Sequence, residues 1–267
     1  MQITAHTPTV LVVEPIRRPL DELGINSALK NSYWRVSVVE LTGSTQNDLT
    51  SRVRSGNAIH GDVLTAEYQS AGRGRLDRSF EVPEKSGLLF SLFIQPKRMS
   101  HDWGWLPLLA GQAVVEALEK QIPAKLKWPN DVLVHGKKIS GLLAEAIEGS
   151  GVVIGIGINV SQNLNELPVS TATSLALEGW ADCDRNELLT SILTNFTQLL
   201  ARWDSGDSRI LEEYRAKSAT IGQAIRITEV NGTQRASFAH GIDLTGALII
   251  DDGELLTVGD VIHLDPK

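Results

Sequence analysis

The chain has 267 residues, a net charge of −7, 42% hydrophobic and 21% charged residues. That composition suits a soluble globular protein with a sizeable core, and the acidic balance argues against a dedicated nucleic-acid binder, whose surface is usually basic. A single cysteine, Cys183, excludes an intrachain disulfide and a structural cysteine–zinc site; it reads as an incidental thiol at a helix start.

Residues 1–32 form a weakly patterned lead. Met1 to Val13 has no positive n-region and only a short apolar run, so it does not read as a signal peptide. No stretch approaches the ~18 apolar residues of a membrane span. The expected setting is therefore the cytoplasm, with no membrane and no nucleic acid as partner. A short helix is expected around Leu20 to Lys30, and the lead is too short for a helix-turn-helix.

Trp34 to Leu41 alternates and is β-branched, which predicts a strand. Ser44 or Thr45 then caps a helix through Arg54. Asp62 to Gln69 and Leu88 to Gln95 read as further strands, separated by a polar, glycine-punctuated loop from Gly72 to Arg78. Asp102 to Ile122 has helical spacing throughout, with its tryptophans in the core. Four strands follow: Lys125 to Trp128, Val132 to Val134, Ile139 to Ile147 and Val152 to Asn159. Residues 161–182 are loop-rich. Asp184 with Glu187 resembles a capping box for a helix that turns Leu188, Leu189, Ile192, Phe196, Leu199 and Trp203 inward. A second helix spans Ser208 to Lys217. From Ile221 onward short strands alternate with turns, the pattern of a small β-barrel. The expected division is a lead (1–32), a mixed α and β unit (33–217) and the small barrel (218–267). An edge strand is expected beside Ile147 to Val153, open to a partner or a second copy.

Three segments are candidates for chemistry; the alternative for the first is a solvated basic turn, and for the second a surface lysine with its stem over Trp128. In Gly72-Arg73-Gly74-Arg75 the glycines let backbone N–H groups approach an anion, and the arginines add charge in a fork that fits phosphate or carboxylate. Little apolar anchoring holds this loop, which predicts mobility before a ligand binds. In Lys127-Trp128-Pro129-Asn130-Asp131 a lysine stands at a strand end that proline stops, placed to stabilise developing negative charge. Gly155-Ile156-Gly157-Ile158-Asn159 lacks the third glycine of a dinucleotide fingerprint. It reads instead as a strand whose glycines leave room for a flat ligand, with Asn159 offering an amide to a purine or ribose. No histidine spacing suggests a metal site, so the metal ligands are unknown.

Together with Gly43-Ser44-Thr45-Gln46 and Lys138-Ile139-Ser140-Gly141-Leu142-Leu143-Ala144-Glu145, these segments resemble the biotin–protein ligases over about residues 34–264. The short lead makes the chain similar to the monofunctional members, which lack a DNA-binding domain. The resemblance implies an α+β fold: a mixed, mostly antiparallel sheet with flanking helices, like class II synthetases and biotin/lipoate ligases, plus an SH3-like C-terminal barrel. It implies ATP and biotin as substrates, Mg2+ with the ATP, and adenylation of biotin followed by transfer to a lysine. The acceptor would be the biotin carboxyl carrier domain of an acetyl- or acyl-CoA or pyruvate carboxylase, and the enzyme a monomer or weak dimer.

Residue by residue, the resemblance assigns biotin to Ser44, Thr45, Gln46, Gln69, Arg73, Gly74, Arg75 and Lys127. It assigns ATP and the adenylate to Arg73, Arg75, Arg78, Phe80, Asn130, Lys138 and Asn159. Lys127 and Arg75 are the catalytic candidates, and Lys138 is the weaker phosphate candidate. Two departures stand out: Gln46 where asparagine is common, and Leu76-Asp77-Arg78-Ser79-Phe80 where the family reaches a tryptophan. Phe80 can still stack on adenine, while Asp77 adds negative charge near the triphosphate path.

Overall fold

The structure, a computed structural model, describes residues 17–75, 78–229, 232–257 and 259–264. Helix α1 (Glu22–Ala28) is capped by the Asp21 carboxylate, which accepts from the Gly24 N–H. Then come β1 (Arg35–Thr42), α2 (Thr45–Arg54), β2 (Asp62–Gln69), β3 (Gly87–Ile94), α3 (Trp105–Leu118), β4 (Ala124–Lys127), β5 (Asp131–Val134), β6 (Lys137–Ile147) and β7 (Gly151–Asn159). Among the described residues these strands make a seven-stranded sheet in the order β1-β2-β3-β7-β6-β5-β4. Only β1 and β2 are parallel, because α2 crosses between them; the remaining pairs are antiparallel.

Strand periodicity sorts the two faces of this sheet. On β3, Leu88, Phe90, Leu92 and Ile94 join α3 and the later helix α4 (Arg185–Asp204) in the main core. Phe93 turns the other way and packs with Leu49 and Val53 of α2, Ile147 and Val153. Each such side chain contributes ~1.5–3 kcal/mol through burial. On β7 the same alternation sends Ile154, Ile156 and Ile158 toward the core and leaves Gly155 and Gly157 on the α2 face.

The helix expected over Asp102 to Ile122 is shorter. Ser100–Asp102 form a 3-10 turn, and α3 begins only after Gly104. A Cβ on Gly104 would stand 2.3 Å from the Thr245 carbonyl oxygen, so the C-terminal strands approach here through a gap that only glycine leaves. Asp184 caps α4 by accepting from the Asn186 N–H at 2.7 Å. The reciprocal box expected with Glu187 is found instead at Asn163 and Glu166.

The expected open edge near Ile147 to Val153 is not an edge. β6 lies between β5 and β7, and β7 between β6 and β3. The outer strands are β1 and β4, and both are partly covered. The Asn26 amide brackets Val36 at 2.8 and 2.9 Å, and Glu22 accepts from the Val38 N–H. The Leu126 carbonyl of β4 accepts from the Ala219 N–H at 2.7 Å. Such cover blunts a sheet's tendency to pair with another chain.

After α4 and α5 (Arg209–Lys217) come β8 (Ala224–Thr228), β9 (Gln234–Phe238), β10 (Gly241–Ile242), β11 (Leu248–Ile249), β12 (Leu255–Leu256) and β13 (Asp260–His263). They form two antiparallel three-stranded sheets, β13-β8-β9 and β10-β11-β12, rather than one closed ladder among the described residues. Trp128 fastens them to the large sheet. Its backbone N–H donates to Thr220 Oγ1 at 3.0 Å and its indole N–H to the Gly246 carbonyl at 3.1 Å. No helix of the described residues is long and apolar enough to cross a membrane.

Candidate functional site

The α2 face of the large sheet carries a cleft. Its floor follows from strand alternation. Gly155 and Gly157 of β7, Gly141 and Leu143 of β6, and Leu89 and Ser91 of β3 all line it. Glycine is required at two of these positions by what lies above. A Cβ on Gly155 would meet Gln46 Oε1 at 2.7 Å, and one on Gly157 would meet the Phe80 ring at 2.5 Å. The glycines therefore leave a flat strip on which side chains or a ligand lie directly against backbone.

One end of the cleft is the start of α2. Ser44, Thr45 and Gln46 are buried, although all three are polar. Ser44 caps the helix and accepts weakly from the Asn47 N–H at 3.5 Å. Gln69 Oε1 accepts from the Thr45 N–H at 2.7 Å, and the Thr45 and Ser91 hydroxyls lie 2.9 Å apart. Gln46 Nε2 donates to Glu145 at 2.9 Å and to the Val153 carbonyl at 3.3 Å, while Gln46 Oε1 is buried without a partner. A buried carbonyl oxygen left unpaired is costly, and a donor supplied by a ligand would relieve that cost.

The Gly-Arg loop forms the opposite wall, and it is tied down where free movement was expected. The Phe80 N–H donates to the Gly72 carbonyl at 2.9 Å and the Gly74 N–H to the Arg78 carbonyl at 2.7 Å. Arg75 donates to Asn130 Oδ1 at 3.1 Å and to the Gly259 carbonyl at 3.3 Å. Arg78 pairs with Asp260 of β13 at 2.5 Å. Burial holds the Arg75 guanidinium below its ordinary pKa, against the pull of Asp260 and Asp131. Arg73 faces the α2 end: it donates to Asn47 at 2.7 Å and pairs with Glu145 at 3.2 Å. Asp77, expected near the triphosphate path, lies with Leu76 outside the described residues.

The two lysines separate clearly. Lys138 lines the cleft with Arg75 and Asn130; Lys127 does not. Between Val132 and Leu133 the β5–β6 register slips by one residue, a bulge that breaks the alternation around Ile139. The Lys138 side chain folds over Gly141, where a Cβ would stand 3.0 Å from both its Cε and Nζ. Its ammonium meets Asp131 Oδ1 at 2.6 Å. Lys127, 3.8 Å from the other Asp131 oxygen, stands behind that carboxylate.

Asn159 is not among the residues that line the cleft. Its Nδ2 donates to the Thr173 carbonyl and its Oδ1 accepts from Gln162, so the buried amide holds a loop together outside the cleft. Burial first, then its acidic neighbours, push the Cys183 thiol up to about 12, which disfavours the nucleophilic thiolate. Among the described residues, no three His, Cys, Asp or Glu side chains gather as a metal cage.

The comparisons with known proteins fit this cleft. The pattern of the Biotin/lipoate A/B protein ligase family matches residues 38–163. The biotin–[acetyl-CoA-carboxylase] ligase of Mycobacterium tuberculosis is 38% identical over 261 residues, covering 93% of this chain and 97% of that one. The chain belongs to the biotin–protein ligase family. The bifunctional ligase/repressor BirA of Bacillus subtilis is 33% identical over 253 residues, covering 90% of this chain and 77% of its own length. The biotin protein ligase from Aquifex aeolicus, solved in complex with biotin and ATP, superposes with a TM-score of 0.73 at 30% identity, covering 86% of this chain and 98% of that one.

Within this ligase family member, the cleft adds residues that motif reading passed over. Ser91 was visible as the lone polar residue in the apolar strand Leu88 to Ile94. Glu145 closes the Lys138 to Glu145 segment, which gave it no role; its importance comes from a contact with Gln46 across ninety-nine positions of sequence.

Proposed function

We propose that this chain activates biotin with ATP as biotinyl-5′-adenylate and transfers biotin to one lysine of a biotin carboxyl carrier domain. The observation that carries the reading is the cleft itself. It has a polar, buried end with an unpaired acceptor at Gln46, a flat glycine floor, and Arg75 and Lys138 at the other end. A ureido ring attached by an aliphatic chain to a carboxylate matches that sequence of environments.

In the first half-reaction a biotin carboxylate oxygen attacks the α-phosphorus of ATP, and the bond to pyrophosphate breaks with the electron pair leaving on oxygen. Two anions must be held together while this happens. Lys138 is the best-placed cation, and it must pass from Asp131 to the carboxylate–phosphate junction. Arg75 covers the adenylate phosphate, and Arg78 faces the pyrophosphate side once it leaves Asp260. Phe80 lies over the glycine floor, where it can stack on adenine, and Asn130 orients Arg75. Lys127 tunes Asp131 from behind. Ser44, Thr45, Gln46 and Gln69 hold the ureido ring, with Arg73 and Gly74 closing over it. In the second half-reaction the acceptor lysine amine attacks the mixed anhydride, loses a proton, and AMP leaves. The tied-down loop excludes water, which would otherwise hydrolyse the anhydride.

Mg2+ would be held chiefly by the ATP phosphates, where it would neutralise part of their charge. Asp131 is a single carboxylate already engaged by Lys138, which suits a metal carried chiefly by substrate phosphates. The acceptor is the carrier domain of an acetyl- or acyl-CoA or pyruvate carboxylase, and the enzyme works in the cytoplasm as a monomer or weak dimer. Incubating the chain with biotin, MgATP and a purified carrier domain, then repeating with the acceptor lysine changed to arginine, tests transfer. Biotin on the first carrier only is the expected result; biotin on neither overturns the reading.

A further inference from the structure

Glu145 does not line the cleft itself; its carboxylate, an acceptor of hydrogen bonds, touches two residues that do, Gln46 and Arg73 at the α2 end. It stands on β6 with Leu143 and Gly141, two and four residues away on the same face, and reaches the start of α2. One carboxylate oxygen accepts from Gln46 Nε2 at 2.9 Å, and the other pairs with Arg73 at 3.2 Å. Arg73 balances its charge, so the carboxylate does not repel an incoming acid. The second partner of Gln46 Nε2 is the Val153 carbonyl, again an acceptor. Two acceptors on one side leave the amide a single orientation, with Nε2 toward Glu145 and Val153 and Oε1 over Gly155 of the cleft floor. That oxygen is buried and unpaired. An asparagine at position 46 would carry its amide one methylene less far, so the longer arm of Gln46 is what brings it to Glu145.

We infer that Glu145 is the positioning residue that fixes Gln46 Oε1 as an acceptor facing the substrate, making this end of the cleft selective for an acid that carries an N–H donor. The inference rests on the biotin-ligase reading and adds to it a selectivity device: the ureido N–H satisfies an oxygen that an aliphatic acid would leave buried and bare. Rejection of a substrate lacking the needed hydrogen-bonding group is strong when a buried polar group is left unpaired. Glu145 itself need not touch the substrate. It also joins two walls of the cleft, since the same carboxylate holds Arg73 of the Gly-Arg loop.

The test is steady-state pyrophosphate–ATP exchange with the full chain, varying biotin and ATP separately in the wild type, E145A and E145Q. In E145A the KM for biotin should rise about tenfold, the effect of one lost hydrogen bond to a buried group, while the KM for ATP stays within about twofold. E145Q keeps an oxygen able to accept from Gln46 and should show a rise of only about threefold, again in biotin alone. A biotin KM unchanged in both variants would overturn the inference. So would equal rises for biotin and ATP, which would mark Glu145 as a general support of the fold. Should E145A fail to fold, E145Q decides alone by the same criterion. A wild type without biotin-dependent exchange would instead sink the ligase reading, and this inference with it.

Discussion

Replacing Lys138 by methionine isolates its charge while keeping most of its length. In the folded protein the ammonium meets Asp131 at 2.6 Å, with the two side chains 38% and 17% exposed. With the lysine more than a third exposed, screening by water keeps the pair's contribution to the fold at ~0–1 kcal/mol. For a chain of this size that corresponds to a fall in Tm of about 2–4 °C or less. Catalysis should suffer far more. A preorganised charge or donor aimed at a developing oxyanion contributes ~2.7–4 kcal/mol, or about 10²–10³ in rate. The variant also leaves Asp131 with Lys127 alone, at 3.8 Å, beside two substrate anions, which adds to the loss. The assay is biotin-dependent pyrophosphate exchange beside a melting curve, with K127M in parallel. Exchange by K138M should drop at least about a hundredfold with a near-wild-type melt, and K127M, standing behind Asp131, should lose much less. Exchange by K138M within roughly threefold of wild type, or a larger loss in K127M, would refute the reasoning.

The remaining predictions concern the floor, the loop and the C-terminal clasp. Gly157→Ala would put a Cβ 2.5 Å from the Phe80 ring, so the ring must move; the KM for ATP should rise about tenfold with the biotin KM little changed, as overpacking at one contact would dictate. Arg75→Gly removes the donors to Asn130 and the Gly259 carbonyl. That variant should release the adenylate faster and label bystander lysines, read as biotin on an added non-acceptor protein; labelling confined to the carrier would contradict it. His263 is held below the ordinary histidine pKa, first by burial and then by Lys127. Its ring accepts from or donates to Thr220 Oγ1 at 3.0 Å, beside the Trp128 N–H that already donates to that oxygen. Because the unfolded chain binds this proton more readily, the stability from neutral His263 is complete above the unfolded pKa near 6.5. It is lost as pH falls from there through the folded pKa. H263N should flatten that acid limb of Tm against pH, and an unchanged limb would remove His263 as its source.

Much of the sheet was legible because strand alternation is a local property. Leu88 to Ile94 and Gly155 to Asn159 announce their strands, and the Gly-Ile-Gly-Ile pattern already implies both glycines on one face. The α2 cap at Ser44 is likewise local. Less legible were features set by long-range contact. Lys127 and Lys138 look alike in sequence, and only the bulge opposite Leu133 aims Lys138 into the cleft. Asn159 ends the right strand, yet its amide is consumed by Thr173 and Gln162. The Gly-Arg loop looked free because its holders, Gly259 and Asp260, lie about one hundred and eighty positions downstream. The open edge expected beside Ile147 was displaced by strand order, since β7 returns to the middle of the sheet between β3 and β6.

The central claim is that this cleft joins biotin to ATP, and biotin-dependent exchange of labelled pyrophosphate into ATP addresses it most directly, with lipoate and octanoate as the competing acids. The account predicts exchange with biotin and little with either competitor, because only biotin brings an N–H to Gln46 Oε1. Exchange with lipoate or octanoate in place of biotin, or with none of the three, would contradict it.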